Sequence, residues 1–220
     1  MLPGVIIHNS VSLDNAVLGF DIDLGVHYGA LLAYRPDAVL AGADTALYGI
    51  EMFLESVPAE EERDFNRPPA DPGDRRPLQV IVDSRGRLHD LLHVFRRSEH
   101  TKDVIVLVSD TTPASYIDYL DARSYPAIRC GSGRVDLRTA LERLRRDFGV
   151  ATVVTDSGGG LNGVLIEERL AGELSLLVLP VLAGNRQKKL FESVASPVNL
   201  RFVRSEPMDH GIVHLIYRIG

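Results

Sequence analysis

Short apolar runs rich in β-branched residues alternate with amphipathic stretches along nearly the whole 220-residue chain. Residues 5–8, 38–41, 78–82, 104–108, 151–155 and 174–179 read as buried strands. Between them the apolar period lengthens to that of a helix. Asp23 can cap a helix carrying Tyr28, Leu31 and Leu32, and residues 45–54 place Leu47, Ile50, Phe53 and Leu54 on one face. Residues 113–120 form a helix with proline in its first turn. Asp136 opens the clearest helix, with Leu137, Ala140, Leu141, Leu144 and Phe148 inward and Gly149 as its stop. Near the C-terminus, residues 200–203 and 212–217 alternate apolar and polar. A turn through Pro207 and Asp209 joins them into an antiparallel hairpin.

Repeated strand–helix units imply a parallel sheet covered on both faces, and the closing hairpin makes it mixed. The chain reads as one α/β domain over residues 1–220. The single interruption, residues 56–77, holds Pro58, Pro68, Pro69, Pro72, Gly73 and Pro77 and the charge run Glu60-Glu61-Glu62-Arg63-Asp64. It is either a solvated loop or a lid over a binding site.

Composition narrows the function. A net charge of -6 gives no electrostatic case for nucleic acid. A lone cysteine, Cys130, excludes an internal disulfide framework and a cysteine-based zinc site. It reads as a buried strand-end thiol. The opening residues lack a signal-peptide pattern and no stretch is long enough to span a membrane, so a cytoplasmic protein is expected. His89 and His93 are spaced like two metal ligands on a helix, but no third ligand accompanies them. The pair His210 and His214 gives no better case, so no metal is expected.

Candidate chemistry gathers where strands end, since ligands of open α/β sheets bind beyond the carboxyl ends of their strands. Those turns are residues 9–15, 42–45, 83–86, 109–112, 129–134 and 156–160. They are rich in hydroxyls, acids and glycine, with arginines beside serines. That composition suits a nucleotide. The last turn is the most specific: a β-branched strand enters Asp156-Ser157-Gly158-Gly159-Gly160, and an amphipathic helix leaves through Leu161. Bare backbone N–H groups at a positive helix end favour a phosphate. Neither G-x-G-x-x-G after a strand nor a P-loop is present. His8, at the end of the first strand, either faces a ligand or packs in the core. Asp14 either makes a turn with Asn15 or meets the substrate. Asp156 can cap the following helix, touch a ligand, or do both.

Ser12-Leu13-Asp14, Gly42-Ala43-Asp44-Thr45, Val82-Asp83-Ser84, residues 130–137, Asp156-Ser157-Gly158-Gly159-Gly160-Leu161-Asn162 and residues 179–184 occur in the order and spacing of a known family. Over essentially its whole length the chain resembles the pyrimidine reductase of riboflavin biosynthesis, in the stand-alone archaeal-type form, which is related in fold to dihydrofolate reductase. The resemblance implies a three-layer α/β/α fold, NADPH as cofactor, a phosphorylated pyrimidine or related heterocycle as substrate, and a homodimer. It implies cofactor contacts at Val11, Gly42, Thr45, Ser84, Arg85, Ser109, Ser157, Gly158, Gly159, Gly160 and Leu161. Thr45 would meet phosphates, Ser84 and Arg85 the adenosine 2′-phosphate, and the three glycines the pyrophosphate. Asp14 and Asp156 are the expected catalytic acids.

The chain departs from the family at three places. Asp14-Asn15 replaces Asp-Gly, Asp156-Ser157 replaces Glu-Gly, and the Asp-Asp-Pro segment expected after Thr45 is absent. Asp64, Asn66 and Arg67, or Arg75 and Arg76, are candidate replacements for the substrate-phosphate contacts. The expected reaction is hydride transfer to the ribosyl C1′ of the pathway pyrimidine. The alternatives are the same cofactor with a different pyrimidine- or pteridine-like substrate, or a non-catalytic nucleotide-binding dimer.

Overall fold

A computed structural model describes residues 1–220. In chain order the elements are β1 (Gly4–Ser12), α1 (Leu24–Leu32), β2 (Ala38–Gly42), α2 (Ala43–Phe53), β3 (Leu78–Val82), α3 (Leu92–Arg96), β4 (Val104–Val108), α4 (Ala114–Ala122), β5 (Ala127–Arg129), α5 (Leu137–Phe148), β6 (Thr152–Thr155), α6 (Gly159–Glu167), β7 (Glu173–Leu179), β8 (Leu200–Pro207) and β9 (Val213–Ile219). They form two compact units, one of residues 1–3 and 37–151, the other of residues 4–36 and 152–220.

In the first unit the strands run in the order β5-β4-β3-β2, all parallel. β4 is apolar at all five positions and buried at all five, as a strand covered on both faces must be. Ile81, Leu88, Leu92, Val106, Tyr116 and Leu120 centre its core. α5 begins and ends where its sequence dictates. The Asp136 carboxylate accepts from the Thr139 N–H at 3.0 Å, and Gly149 closes the helix at φ 69°.

The proline-rich segment is clamped to this unit rather than free. Its 3₁₀ turn Glu62–Phe65 buries Asp64, which pairs with Arg97 (Nε to Oδ1 2.8 Å). Buried Arg96 donates to the Asp64 carbonyl at 2.7 Å, and Arg123 grips Glu60 with two bonds of 2.7 and 2.6 Å. His93 Nε2 bonds the Pro58 carbonyl at 2.8 Å. The segment lacks the apolar pattern of an element, so its order comes from these charged contacts.

In the second unit the order is β6-β1-β7-β9-β8. β1 pairs in parallel with β6 and β7, then β9 and β8 follow antiparallel as the expected terminal hairpin. β1 is longer than its apolar run suggests. Residues 9–12, expected as a turn, continue the strand, and Val11 is a buried strand residue. The polar positions His8, Asn9, Ser10 and Ser12 stay in the strand because each finds a hydrogen-bond partner inside the unit. The architecture is thus the mixed, mostly parallel α/β arrangement expected from the sequence.

Candidate functional site

The glycine turn lies in the second unit, between β6 and α6. Its entry is held from below by a buried amide network. The Ser157 carbonyl accepts from Asn9 Nδ2 at 2.9 Å and from Asn162 Nδ2 at 2.6 Å. Asn162 Nδ2 also reaches Asn9 Oδ1 at 2.9 Å, and Thr155 Oγ1 donates to Asn162 Oδ1 at 3.0 Å. Thr155 and Asn162 are fully buried. A buried amide that satisfies every partner fixes one geometry, since any shift would strand polar groups in the core.

The turn then delivers the helix. Gly158 is the N-cap residue of α6, and no side chain caps that end. Helix N–H groups with no capping side chain are the usual donors to an anion. The three glycines differ in what surrounds them. A Cβ at Gly159 would meet the Leu190 carbonyl oxygen at 2.6 Å, so packing alone demands glycine there. At Gly158 and Gly160 a Cβ would meet nothing within 4 Å. Neither packing nor backbone strain explains those two glycines, whereas a ligand lying close against the backbone would.

Asp156 precedes this turn with its side chain 24% exposed, and its Oδ1 lies 3.2 Å from His27 Nε2 on α1. On its other side, His27 Nδ1 lies 2.8 Å from Ser10 Oγ of β1. The sequence offered no signal for His27: it lies 129 residues from Asp156 and reads locally as one more position on α1. Asp156 does not cap α6.

Asp14 has a different setting. Its carboxylate accepts from Ser12 Oγ at 2.6 Å, Ala183 N and Gly184 N at 2.9 Å each, and Lys189 Nζ at 2.7 Å. These donors, Lys189 first, hold its pKa well below the usual carboxylate range. Asp14 therefore ties residues 183–189 to the end of β1. Asn15 takes φ 66°, which that turn requires.

In the first unit the candidates Ser84 and Ser109 belong to interlocked turns. Thr112 Oγ1 donates to the Ser84 carbonyl at 2.9 Å and accepts from Ser109 N at 3.0 Å. Ser109 Oγ and Thr111 Oγ1 are 3.1 Å apart, and Thr111 Oγ1 donates to the Gly133 carbonyl at 3.0 Å. Ser109 is fully buried, while Arg85 is exposed. Gly42 is the N-cap of α2, again without a capping side chain, and Thr45 lies in its first turn. Asp44 of the same turn pairs with Arg87.

The replacements considered for a substrate-phosphate contact are largely engaged within their own unit. Arg67 Nε donates to Asp103 at 2.8 Å, Arg76 pairs with Asp74 at 2.6 Å, and Asp64 is held by Arg97. His89 lies over Tyr119 at 4.4 Å between ring centres, and no group of three or more His, Cys, Asp or Glu is placed to hold a metal. Cys130 is buried, and burial raises its thiol pKa. No helix is long and apolar enough to cross a membrane.

The strand order within each unit, the terminal hairpin and the glycine turn define a dihydrofolate-reductase-like α/β protein. The dihydrofolate reductase of Enterococcus faecalis, solved in complex with NADP(H), superposes with a TM-score of 0.52 over 99% of this chain and 96% of that one, at 9% identity. The fold match is closer to the riboflavin biosynthesis reductase Rib7 of Saccharomyces cerevisiae, with a TM-score of 0.70, 100% and 90% coverage and 16% identity. Residues 3–214 match the RibD C-terminal domain, and the chain belongs to that family. The riboflavin biosynthesis protein RibD of Chlamydia pneumoniae is 29% identical over 136 residues, which is 58% of this chain. The match takes in 35% of that relative, so the chain spans about a third of its length.

Proposed function

We propose that the chain is an NADPH-dependent reductase acting, as a single reductase domain, on a pyrimidine ribosylamine phosphate or a closely related heterocycle. The observation that carries this reading is the glycine turn. A fully satisfied amide network holds the Ser157 carbonyl, two glycines with no packing reason to be glycine follow it, and a partly exposed carboxylate stands beside them. The backbone N–H groups of residues 158–161 suit the cofactor pyrophosphate. Thr45, Ser84 and Arg85, at the strand ends of the other unit, have the hydroxyls and guanidinium suited to phosphate oxygens. Gly42 and Ser109 act as backbone supports for those strand ends, and Val11 does the same for β1 in its own unit.

Bound NADPH supplies a hydride to an electrophilic carbon. The chain's own task is orientation and proton management. Asp156 is the acid for this. Oδ1 is held by His27, and the partly exposed carboxylate is the group that accepts from, or passes a proton to, the heteroatom beside the carbon being reduced. Asp14 acts as a clamp on residues 183–189, since its oxygens are already saturated. The activity is assayed as NADPH oxidation with 5-amino-6-ribosylaminouracil 5′-phosphate or its 2,5-diamino counterpart. Turnover supports the full reading. NADPH binding without turnover of either compound confines it to the cofactor half.

The arginines of residues 56–77 favour a second reading, with the same cofactor and a heterocycle lacking the phosphate. Arg67 and Arg76 are paired with Asp103 and Asp74. Reduction of a non-phosphorylated pyrimidine or pteridine, with the ribosyl phosphate inert, distinguishes this reading.

A further inference from the structure

A second polar network runs through the core of the same unit, and it ends on Asp156. Five buried side chains take part. His214 Nε2 lies 2.8 Å from Ser175 Oγ, which lies 2.9 Å from His8 Nδ1. His8 Nε2 bonds the His27 carbonyl at 3.2 Å. Ser10 Oγ meets His27 Nδ1, and His27 Nε2 meets Asp156 Oδ1.

Hydrogen-bond chemistry fixes which atoms carry the protons. A carbonyl only accepts, so His8 Nε2 is the N–H and His8 Nδ1 the lone pair. The Ser175 hydroxyl therefore donates to His8, and the His214 Nε2–H donates to Ser175. Proton passage along this leg stops at the His27 carbonyl, which can hold no proton. His8, Ser175 and His214 thus act as a brace that fixes the backbone of α1 at His27. The second leg is different. A carboxylate accepts, so His27 Nε2 is the donor to Asp156, while its Nδ1 is engaged by Ser10 Oγ. An imidazole gripped at its backbone and at Nδ1 can aim its Nε2–H in only one direction.

We infer that His27 is a positioning residue. Braced by His8 and Ser10, it holds the Asp156 carboxylate through Oδ1 so that Oδ2 faces the bound substrate. The inference rests on the reading of Asp156 as the group that meets the substrate. A purely structural role for these side chains does not require the network to finish on its one partly exposed member. Apolar residues of similar size would fill the space without the cost of desolvating three imidazoles.

Two measurements on the full chain test it. The first is the imidazole nitrogen NMR spectrum of the wild type and of Asp156→Asn. The expected spectrum shows neutral His8 protonated at Nε2, and His27 Nε2 resonances that move in the variant while those of His8 and His214 stay. Unmoved His27 nitrogens overturn the inference, whatever the substrate proves to be. The second is turnover, with NADPH and the pathway pyrimidine phosphate as probes. His27→Phe lowers kcat by about tenfold to a hundredfold with little change in KM for NADPH. His27→Gln, whose amide can donate to Asp156, recovers most of that loss. Wild-type kcat in His27→Phe alongside an impaired Asp156→Asn overturns the positioning role alone. An unimpaired Asp156→Asn overturns the reading of Asp156 and the inference with it.

Discussion

Asn162 Nδ2 and the Ser157 carbonyl oxygen are 2.6 Å apart in the core beneath the glycine turn. The same amide bonds Asn9 and Thr155, so one side chain fixes the backbone from which α6 starts. Replacing Asn162 with leucine keeps the volume but leaves the Thr155 hydroxyl and Asn9 Oδ1 without that partner. The expected cost is about 2–4 kcal/mol in urea unfolding, together with weaker NADPH binding.

The three glycines separate packing from binding. Gly160→Ala places a Cβ in open space on a helix, so stability rises by up to about 1 kcal/mol. The same methyl group crowds a bound pyrophosphate, and NADPH affinity falls by about tenfold. Gly159→Ala puts its Cβ against the Leu190 carbonyl and costs about 2 kcal/mol. Thermal unfolding and cofactor titration on the two variants should move in this opposed pattern.

His8 gives stability a pH dependence that sets in below pH 6.5, before most carboxylates titrate. Burial first, then the neighbouring His27 and His214, lowers its pKa from 6.5 to about 3. The unfolded chain therefore binds a proton below pH 6.5 that the folded chain refuses. The His8 contribution is complete above pH 6.5 and is lost as pH falls toward 3, at a slope approaching 1.4 kcal/mol per pH unit for one proton. His214, lowered mainly by burial, adds in the same sense. Denaturant unfolding from pH 7 to pH 4 should show this slope, and His8→Gln should reduce it by about one proton.

Residues 56–77 are held by charge. Asp64 is 1% exposed and its carboxyl pKa is lowered to about 2, chiefly by the hydrogen bond from Arg97. Asp64→Ala removes the buried partner of Arg97, which keeps only Glu61 and the Ala59 carbonyl, at a cost of about 2 kcal/mol. Limited proteolysis should then cut within residues 56–77 faster than in the wild type.

Much of this was legible in the residues. Val104 to Val108 could only be a fully buried strand, and Asp23, Asp136 and Gly149 mark helix ends by local hydrogen bonding alone. The end of β1 was not legible, because His8, Asn9 and Ser10 look like turn residues until their partners Ser175, Ser157 and His27 are placed beside them. α3, β5 and the 3₁₀ turn at Glu62–Phe65 are too short to carry a period. α6 starts inside the glycines, where intrinsic propensity argues against a helix. The glycine turn itself was legible as a glycine-rich link between a strand and a helix. The settings of Asp14 and Asp156 were not, since the Ala183, Gly184 and Lys189 bonds to Asp14 and the His27 contact to Asp156 come from residues far away in the chain.

The most direct test of the central claim is titration of the intact protein with NADPH, followed by the cofactor's own fluorescence, which no tryptophan in this chain obscures. The expected result is saturable binding that weakens in Gly160→Ala while the protein stays folded. Absence of binding at millimolar NADPH, or equal affinity in the two proteins, would contradict it.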